Sequence, residues 1–390
     1  MLLEAPRNLE IMGSVKINEV QKILKLESNS FDAPPLFNIS KDEIDEIMNR
    51  MMIVIPTKNE RLNLLDNVLK AIPQNCHIAL VSNSQRNKRD VYRGEQELIN
   101  NFHNLTNQSI SMIHQKDPGL ADAFKSAGYT KILDESGLIR DGKAEGMIAA
   151  TVLANYYKKD YIGFIDADNY IPGAVNEYVK DYAAGFAMSK SPYAMVRLHW
   201  RYKPKIVGRK LYFKKWGRVS ETTNRFLNLL LAINTQFEVD IIKTGNAGEH
   251  AMSTKLANLI DYSTGYSIEP YHFIYLLEEF GGKEIKKRDV AKYGVDVFQI
   301  ETLNPHLHED KGERHVANML IDSLSTIFHS NMANDQVRSE ILEELRRDGA
   351  MGNEQNEPRK STKLPSIGNI DASKFMRTVI SESKSFADLS

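Results

Sequence analysis

The feature that most constrains the fold is a regular alternation of short apolar runs with helical patterns between residues 50 and 170. Short, continuously apolar runs are typical of strands buried in a parallel sheet, and apolar residues every three or four positions are typical of helices. Strands are expected at 51–56, 77–82, 109–114 and 161–165, and helices at 62–72 and from Gly142 onward. This order predicts a doubly wound, mostly parallel α/β sheet, which binds its ligands at the carboxyl ends of its strands.

The rest of the chain is more mixed. Strands are predicted at 193–199 and 295–302, and helices at 41–50, 220–236, 246–260, 270–281 and 312–330. Residues 18–26 fit either a strand or a helix. After Arg347 the composition becomes rich in Gly, Asn, Glu, Pro, Lys and Ser, which predicts a linker at 348–369 and a short amphipathic helix at 372–389.

Composition argues against several classes of protein. The formal net charge is −1, with 26% charged and 42% hydrophobic residues, which is ordinary for a soluble globular protein. This neutral balance argues against nucleic-acid and membrane partners. Because Cys76 is the single cysteine, no disulfide can form within the chain and a reducing compartment is favoured. Residues 1–18 are too charged for a signal peptide, and no long apolar run is present, so we expect a cytoplasmic protein.

Two aspartates separated by one small residue follow the strand expected at 161–165. Alternate residues at a strand end point to the same side, so Asp166 and Asp168 should project together, with only Ala167 between them. Paired carboxylates suit a divalent cation such as Mg²⁺ or Mn²⁺ that keeps positions open for phosphates. The alternative is a pair of solvated acids after a strand.

Two segments at strand ends and helix starts have the chemistry to hold a nucleotide. The loop after the first strand consists of Pro56, Thr57, Lys58, Asn59 and Glu60. Its carboxylate could accept from a base N–H, and its backbone amides could meet a phosphate. Further along, Gly142 and Gly146 bracket Lys143 at a helix N-terminus, which favours an anion such as a diphosphate. A capped helix with solvated charges and an ordinary glycine-started helix are the respective alternatives.

Residues 201–220 contain eight basic residues and no acidic one. The segment could be a nucleic-acid patch, a solvated hairpin or a pocket for a small acceptor with several negative charges. It ends in Gly217, Arg218, Val219 and Ser220, ahead of a predicted helix. Backbone amides, a hydroxyl and a guanidinium could therefore converge on a phosphate there.

Three more segments suggest contacts with ligands. The turn that contains Asn246 is punctuated by glycines and is expected to enter a helix, which suits close approach of a substrate. Glu269 at a helix start either caps the helix or contacts a substrate hydroxyl. His306 and His308 are flanked by acids and could form a metal site, supply one imidazole to the metal at the aspartates, or lie solvated in a loop. Because no cysteine accompanies them, a zinc site is disfavoured.

These motifs resemble those of a known enzyme family. A proline followed closely by Asn-Glu marks the nucleotide pocket of GT-A-fold glycosyltransferases, and Asp166-Ala167-Asp168 is similar to their Asp-x-Asp motif. Residues 217–220 are similar to the Gly-Arg-Val-(Thr/Ser) segment with which glucosyl-3-phosphoglycerate synthases hold their acceptor phosphate. Over residues 1–330 the chain resembles the mannosyl-3-phosphoglycerate synthase family, whereas the tail after Arg347 matches poorly. The segments that carry the resemblance are 56–60, 82–84, 114–120, 142–147, 166–173, 216–221, 244–252, 265–270 and 304–312.

The resemblance implies a GT-A fold and a retaining transfer of mannose from GDP-mannose to 3-phosphoglycerate, in the synthesis of the compatible solute mannosylglycerate. It also implies a divalent metal: Mg²⁺, with Mn²⁺, Co²⁺ or Zn²⁺ as alternatives. Asp168, Asp166 and His308 would hold this metal. His308 is preferred to His306 because the ligand histidine of the glucosyl synthases stands a similar distance before a methionine-containing helix, here at Met319.

The same resemblance divides the other residues between two substrates. The implied catalytic residues are Asp168 and Glu269. The implied donor-binding residues are Pro56, Thr57, Lys58, Asn59, Glu60, Ser82, Asn83, Lys116, Lys143, Asp166 and Ala167. The implied acceptor-binding residues are Gly217, Arg218, Val219, Ser220 and Asn246. We expect an N-terminal extension packed on the core (1–48), a nucleotide-sugar-binding half (49–190), an acceptor- and metal-binding half (191–347), and a linker with a C-terminal helix (348–390).

The sequence leaves open the mechanism of retention, the role of Glu269 and two rival functions. Retention could proceed through a covalent intermediate or by same-face attack guided by the leaving phosphate, and Glu269 could position a substrate or act as a base. The rival functions are a GT-A synthase with another nucleotide sugar, such as a glucosyl-3-phosphoglycerate synthase, and a non-catalytic anion- or nucleotide-binding module. We also expect a homodimer with no nucleic-acid partner and no membrane partner.

Overall fold

The computed structural model describes residues 1–4, 8–21, 36–87, 90–200, 203–207, 210–212, 218–282, 285, 287–309 and 312–390. The strands are β1 (Leu2–Glu4), β2 (Asn8–Met12), β3 (Val15–Val20), β4 (Leu36–Asn38), β5 (Met51–Thr57), β6 (His77–Ser82), β7 (Ile110–His114), β8 (Tyr161–Phe164), β9 (Ala194–Trp200), β10 (Lys205–Val207), β11 (Lys210–Tyr212), β12 (His250–Ser253), β13 (Tyr262–Ser263), β14 (Val295–Thr302), β15 (His308–Glu309), β16 (Lys363–Leu364) and β17 (Ala387–Leu389). The α-helices are α1 (Lys41–Asn49), α2 (Leu62–Ala71), α3 (Val91–Thr106), α4 (Pro118–Ser126), α5 (Lys143–Tyr156), α6 (Pro172–Met188), α7 (Arg218–Thr235), α8 (Thr254–Ala257), α9 (Ile268–Phe280), α10 (Arg288–Tyr293), α11 (Glu313–Phe328), α12 (Asp335–Arg347) and α13 (Ala372–Glu382).

Ten strands form one sheet in the order β17-β7-β6-β5-β8-β12-β9-β14-β3-β2. β12 is antiparallel to both of its neighbours, and the outer strands β17 and β2 are antiparallel to theirs. The other strands of this sheet run in one direction. The predicted doubly wound, mostly parallel sheet is therefore confirmed.

The sheet is buried on both faces, and this explains the continuously apolar runs in the sequence. Along β5, Met52 and Val54 pack into one apolar core, whereas Met51, Ile53 and Ile55 pack into the other. The first core includes side chains of α4, α5, α7, α9, α11, α12 and α13. The second core includes side chains of α1, α2, α3 and α6. No helix in the described parts of the chain is long and apolar enough to cross a membrane.

Most predicted elements are present. The strands expected in both halves correspond to β5, β6, β7, β8, β9 and β14, and the expected helices correspond to α1, α2, α5, α7, α9 and α11. Of residues 18–26, residues 18–20 belong to strand β3, and residues 22–26 lie outside the described residues.

The helix predicted at 246–260 is wrong. Residues 250–253 form β12, which pairs with β8 on one side and β9 on the other, and only the single turn α8 is helical. A His-Ala-Met-Ser segment has little β propensity of its own, so the pairing available in the middle of a sheet decides its conformation. The turn with Asn246 consequently enters a strand and not a helix.

The prediction for the C-terminal tail is wrong in two respects. The helix ends at Glu382 instead of Leu389, and the last residues form β17 on the edge of the main sheet, against β7. The segment predicted as a linker contains β16, and its Leu364 and Ile367 are fully buried. These buried side chains hold a segment whose average composition is polar against the core. The division of the chain into four parts stays a prediction.

Candidate active site at the carboxyl edge of the sheet

Loops that follow four neighbouring parallel strands lie at one edge of the sheet. β5 ends at Thr57, β6 at Ser82, β7 at His114 and β8 at Phe164. Because the carboxyl ends of parallel strands meet at the same edge, the segments predicted to bind a nucleotide and a metal are neighbours.

A buried carboxylate from α3 fixes two of these loops. Glu95 is fully buried and accepts hydrogen bonds from Ser82 Oγ and Ser84 Oγ at 2.6 Å each. It also accepts from Thr57 Oγ1 at 3.2 Å. Burial raises the pKa of Glu95, and the hydroxyl donors oppose that rise. Sequence reasoning missed Glu95, because an acid within an amphipathic helix belongs to no motif.

Polar contacts connect the exposed residues that follow β5 and β6, where donor binding is predicted. Asn59 has a left-handed backbone with φ of 59°, and its side-chain oxygen accepts from the backbone N–H of Gln85 at 2.8 Å. Lys58 Nζ lies 3.7 Å from Asp141 Oδ1, which also accepts from Asn83 Nδ2 at 2.7 Å. Lys58, Asn59 and Asn83 therefore lie close together, as the prediction of a donor site requires. Of the other predicted donor residues nearby, Pro56 within β5 and Glu60 beyond it are half-buried.

Lys116 is engaged elsewhere. Its ammonium donates to Asp134 Oδ2 at 2.8 Å and to the carbonyl of Ile139. The hydrogen bond from Lys116 is the largest of the effects that lower the pKa of Asp134. A contact between this ammonium and a diphosphate would require the pair with Asp134 to open.

The centre of the site is a cluster of acids around Lys143. β8 ends at Phe164, so Asp166 lies just beyond the strand, and its side chain is 31% exposed. Lys143 Nζ, at the first residue of α5, lies 2.6 Å from Asp166 Oδ1 and 3.3 Å from Glu269 Oε1. Burial alone would lower the pKa of Lys143, but the charges of Asp166 and Glu269 outweigh it and raise that pKa. Asp168 is buried, as is Ala167 between the two aspartates.

Residues 244–249 form a turn that meets this cluster, and we refer to it as the 244–249 turn. A Cβ on Gly248 would lie 2.8 Å from Asp166 Oδ2 and 2.9 Å from Lys143 Nζ, so only glycine allows this approach without displacing them. The next residue, Glu249, is fully buried. Burial, and then the charge of Asp166, raise the pKa of Glu249 well above its usual value. Glu249 was not among the predicted site residues.

The segment with the two histidines is held from α6. Glu177 accepts from the backbone N–H groups of Leu303 at 2.6 Å and Asn304 at 2.9 Å, and from Asn304 Nδ2 at 2.6 Å. His306 is buried, and its Nδ1 lies 3.4 Å from Glu249 Oε1. The structure therefore places His306 against the acid cluster.

His308 occupies a different position in the same segment. It begins β15, which pairs in parallel with β10, and its ring centroid lies 5.0 Å from that of His306. Among the described residues, no three His, Cys, Asp or Glu side chains are already arranged to hold a metal ion. The predicted ligand set of Asp166, Asp168 and His308 stays a prediction.

The 244–249 turn also lines a small cavity. The cavity is lined by Leu198, His199, Trp200, Lys203, Ser220, Lys243, Thr244, Asn246 and Ala247. Of the predicted acceptor-binding residues, Ser220 and Asn246 thus share one cavity with two lysines. Val219 is buried in the first apolar core, so only its backbone could meet a ligand. Arg218 begins α7, its side chain lies outside the described part, and Gly217 lies outside the described residues.

The sheet topology and the site at its carboxyl edge define the GT-A class of glycosyltransferase fold. A crystal structure of glucosyl-3-phosphoglycerate synthase from Mycobacterium tuberculosis in complex with Mn²⁺, UDP-glucose and phosphoglyceric acid shares this fold, with a TM-score of 0.52 and 15% sequence identity. The similarity covers 87% of this chain and 96% of that chain.

Sequence comparison goes further than the fold. The sequence model of the mannosyl-3-phosphoglycerate synthase family (osmo_MPGsynth) matches residues 5–379, so the expectation that the tail after Arg347 matches poorly is wrong. The mannosyl-3-phosphoglycerate synthase of Pyrococcus furiosus is 53% identical over 388 residues, which is 98% of each chain. The synthase of the same name from Aeropyrum pernix is 35% identical over 385 residues, again 98% of each chain. The chain belongs to the mannosyl-3-phosphoglycerate synthase family.

Proposed function

We propose that this chain is a retaining glycosyltransferase that moves mannose from GDP-mannose to 3-phosphoglycerate and so provides mannosyl-3-phosphoglycerate for mannosylglycerate synthesis. One observation carries the proposal within this family. The Asp166–Lys143–Glu269 cluster lies at the carboxyl edge of the sheet and meets the same 244–249 turn that lines a cavity with two lysines. Such an arrangement suits a phosphorylated donor on one side and an anionic acceptor on the other.

A divalent metal fits the chemistry of the acids around Lys143. Asp166 and Glu269 both lie within ion-pair distance of Lys143 Nζ, so two carboxylates face a single ammonium. Carboxylate oxygens with an imidazole are donors that Mg²⁺ and Mn²⁺ accept. We assign the metal to Asp166, Asp168 and His308, with His306 as the rival ligand. When bound, the ion would neutralise the diphosphate and the charge on departing GDP.

The acceptor 3-phosphoglycerate carries a phosphate and a carboxylate, which suits the basic cavity. Lys243 and Lys203 line it, and Ser220 Oγ lies 3.5 Å from Lys203 Nζ. The side-chain oxygen of Asn246 is buried and has no hydrogen-bond partner among the described residues, so it is available to a hydroxyl of a ligand. We propose that Arg218 at the start of α7 clamps the phosphate, since a guanidinium fork matches phosphate oxygens.

Glu269 lies between the two substrates in this arrangement. Its side chain is 4% exposed, and Lys143 engages Oε1. We assign to Glu269 the orientation of the acceptor hydroxyl towards the sugar. Lys143 keeps that carboxylate in place and also balances the charge of Asp166. Both routes to retention need the acceptor hydroxyl held on the face from which GDP leaves.

The proposal is tested with a matrix of donors against acceptors. Purified protein with Mg²⁺ is given GDP-mannose, GDP-glucose or UDP-glucose, each with 3-phosphoglycerate or glycerate, and release of the nucleoside diphosphate is measured. We expect turnover to be fastest with GDP-mannose and 3-phosphoglycerate and to stop with a chelator. Faster turnover with GDP-glucose or UDP-glucose would show that GDP-mannose is not the preferred donor. Failure of every pair, together with tight RNA binding that weakens steeply with salt, would favour a binding module.

Two further properties belong to this proposal. We propose that the enzyme works in the cytoplasm and as a homodimer. Cell fractionation tests the first property and sedimentation of the purified protein tests the second.

A further inference from the structure

The largest fully buried side chain in the described part of the chain is a cation, Arg197 on β9, which is 0% exposed. Its Nε donates to the carbonyl of Thr244 at 3.0 Å, and its Nη2 donates to the same carbonyl at 2.6 Å. Nη2 also lies within hydrogen-bond distance of the carbonyls of Gly245 (3.3 Å) and Glu269 (3.0 Å). The guanidinium lies over the ring of Phe273, 4.7 Å from its centroid.

Burying a charge in this way is unfavourable unless hydrogen bonds compensate it. Here the guanidinium nitrogens donate to backbone carbonyls and to the sulfur of Met195. Burial lowers the pKa of Arg197 to about 10, so the group stays protonated at neutral pH. A buried cation that binds backbone carbonyls fixes the relative position of the segments to which those carbonyls belong.

The carbonyls belong to two segments of the candidate site. Thr244 and Gly245 begin the 244–249 turn, which lines the cavity and meets Lys143 and Asp166 through Gly248. Glu269 lies in the first turn of α9. One planar guanidinium therefore spans the distance between the turn and the backbone that carries the Glu269 carboxylate.

Other residues hold the 244–249 turn without reaching Glu269. Gln299 Oε1 on β14 accepts from Lys243 N at 2.8 Å and from Thr244 Oγ1 at 2.7 Å. Asn224 Oδ1 on α7 accepts from Gly245 N at 2.7 Å. Arg197 differs from both because it also binds the backbone of Glu269.

We infer that Arg197 is a positioning residue for the transfer reaction, which sets the Glu269 carboxylate at a fixed distance from the 244–249 turn. The inference rests on the proposed function, in which Glu269 orients the acceptor hydroxyl. Arg197 does not contact a substrate; it acts by fixing the position of Glu269. A displacement of about 1 Å in such a group lowers the rate about a hundredfold.

The test uses Arg197→Lys and Arg197→Met, with Val196→Ala as the matched control. Val196 is the neighbouring residue on β9, but it packs into the second apolar core on the other face of the sheet. Its truncation lowers stability without touching the 244–249 turn. For each variant we would measure the melting temperature, kcat, the KM of each substrate and the dissociation constant of GDP-mannose.

We expect kcat to fall about tenfold in Arg197→Lys and about a hundredfold in Arg197→Met, with the dissociation constant of GDP-mannose unchanged within about twofold. Lysine keeps the charge but cannot reproduce the fork, so its rescue is partial. Val196→Ala should keep kcat at a comparable loss of stability. The inference is overturned if Arg197→Lys keeps the wild-type kcat, or if the loss in kcat follows the loss of stability equally in all three variants.

Two further measurements cover the remaining outcomes. If neither arginine variant folds, Phe273→Leu keeps the arginine but removes the ring beneath it. This variant should lower kcat several-fold without raising the dissociation constant of GDP-mannose. An unchanged kcat contradicts the inference. Hydrogen exchange provides a readout that needs no activity. In Arg197→Lys, the amides at 245–249 and those flanking Pro270 within 268–272 should exchange faster, while those of α3 stay protected. If wild-type protein transfers no mannose, the proposed function fails, and this exchange pattern still decides the role of Arg197.

Discussion

At the scale of single residues, the site depends on a balance of charge around Lys143. Its ammonium lies between Asp166 and Glu269, and its side chain is 15% exposed. Removing one partner from a buried group of charges leaves the others uncompensated and costs about 3–5 kcal/mol. Because Asp166 is partly solvated, the lower end of this range applies here.

Lys143→Met should therefore leave the fold intact but displace both carboxylates. We expect kcat to fall by about a hundredfold, since a displacement of about 1 Å in a group at the reacting centre has an effect of this size. Lys143→Arg should recover part of the loss. Steady-state kinetics measures this change, with Lys125→Met as a control because Lys125 pairs with Asp122 at an exposed position of α4. If the Lys143→Met enzyme is as active as this control, Lys143 has no role in the reaction.

A second residue-scale prediction concerns stability and pH. His77 on β6 is buried, and burial followed by the charge of Lys159 lowers its pKa to about 4. The unfolded chain binds a proton near pH 6.5, so the contribution of neutral His77 to stability is present above about pH 6.5 and is lost as pH falls towards 4. Between pH 7 and pH 5, wild type should lose about 2 kcal/mol more of its unfolding free energy than His77→Asn. Urea unfolding at the two pH values measures this difference, and equal losses would contradict it.

At the scale of elements, α3 connects the two loops of the proposed donor site through Glu95. Glu95→Ala leaves the hydroxyls of Thr57, Ser82 and Ser84 without their acceptor. We expect the free energy of unfolding to fall by about 2–4 kcal/mol and the donor KM to rise, with little change in the acceptor KM. Glu97→Ala on the same helix is the control, because its carboxylate is exposed and pairs with Arg93. An acceptor KM that rises as much as the donor KM would show that α3 does not act on the donor side alone.

The elements also show what the sequence could and could not predict. β5, β6 and β8 were predictable because burial on both faces requires continuous apolar runs. β12 and β17 were not, because their conformation comes from the partners they pair with and not from their own residues. In the site, Asp166, Lys143 and Glu269 follow strand ends or begin helices, where local motifs can be recognised. Glu95, Glu249 and Arg197 act through buried tertiary contacts, and a single sequence contains no local signal for such contacts.

At the scale of the whole molecule, the C-terminal tail connects distant parts of the fold. β16 pairs with β13 just before Glu269, α13 packs on α4 and α5, and β17 extends the sheet beside β7. Near the end of the chain, Asp117 Oδ2 accepts from the backbone N–H groups of Lys384 at 3.2 Å and Ser385 at 3.1 Å. The tail thus supports both the loop that contains Lys116 and the segment between β13 and Glu269.

Deletion of residues 384–390 should weaken the molecule without unfolding it. The deletion removes β17 and the contacts to Asp117, and we expect the free energy of unfolding to fall by about 2–4 kcal/mol. The dissociation constant of GDP-mannose should rise, because the loop after β7 loses its support. Calorimetry measures both quantities, with Ser381→Ala as a control at an exposed position of α13. An unchanged free energy of unfolding in the truncated chain would mean that residues 384–390 do not stabilise the fold.

In the proposed reaction, the acid cluster beside the basic cavity directs the transfer of mannose to 3-phosphoglycerate. The most direct measurement is a nuclear magnetic resonance spectrum of the product formed from GDP-mannose, 3-phosphoglycerate and Mg²⁺, for wild type and for Asp168→Ala. We predict one mannosyl-3-phosphoglycerate product with the anomeric configuration of the donor, and a rate in Asp168→Ala lower by several orders of magnitude with the fold retained. An inverted product, mannose released to water alone, or near-native activity in Asp168→Ala would contradict the account.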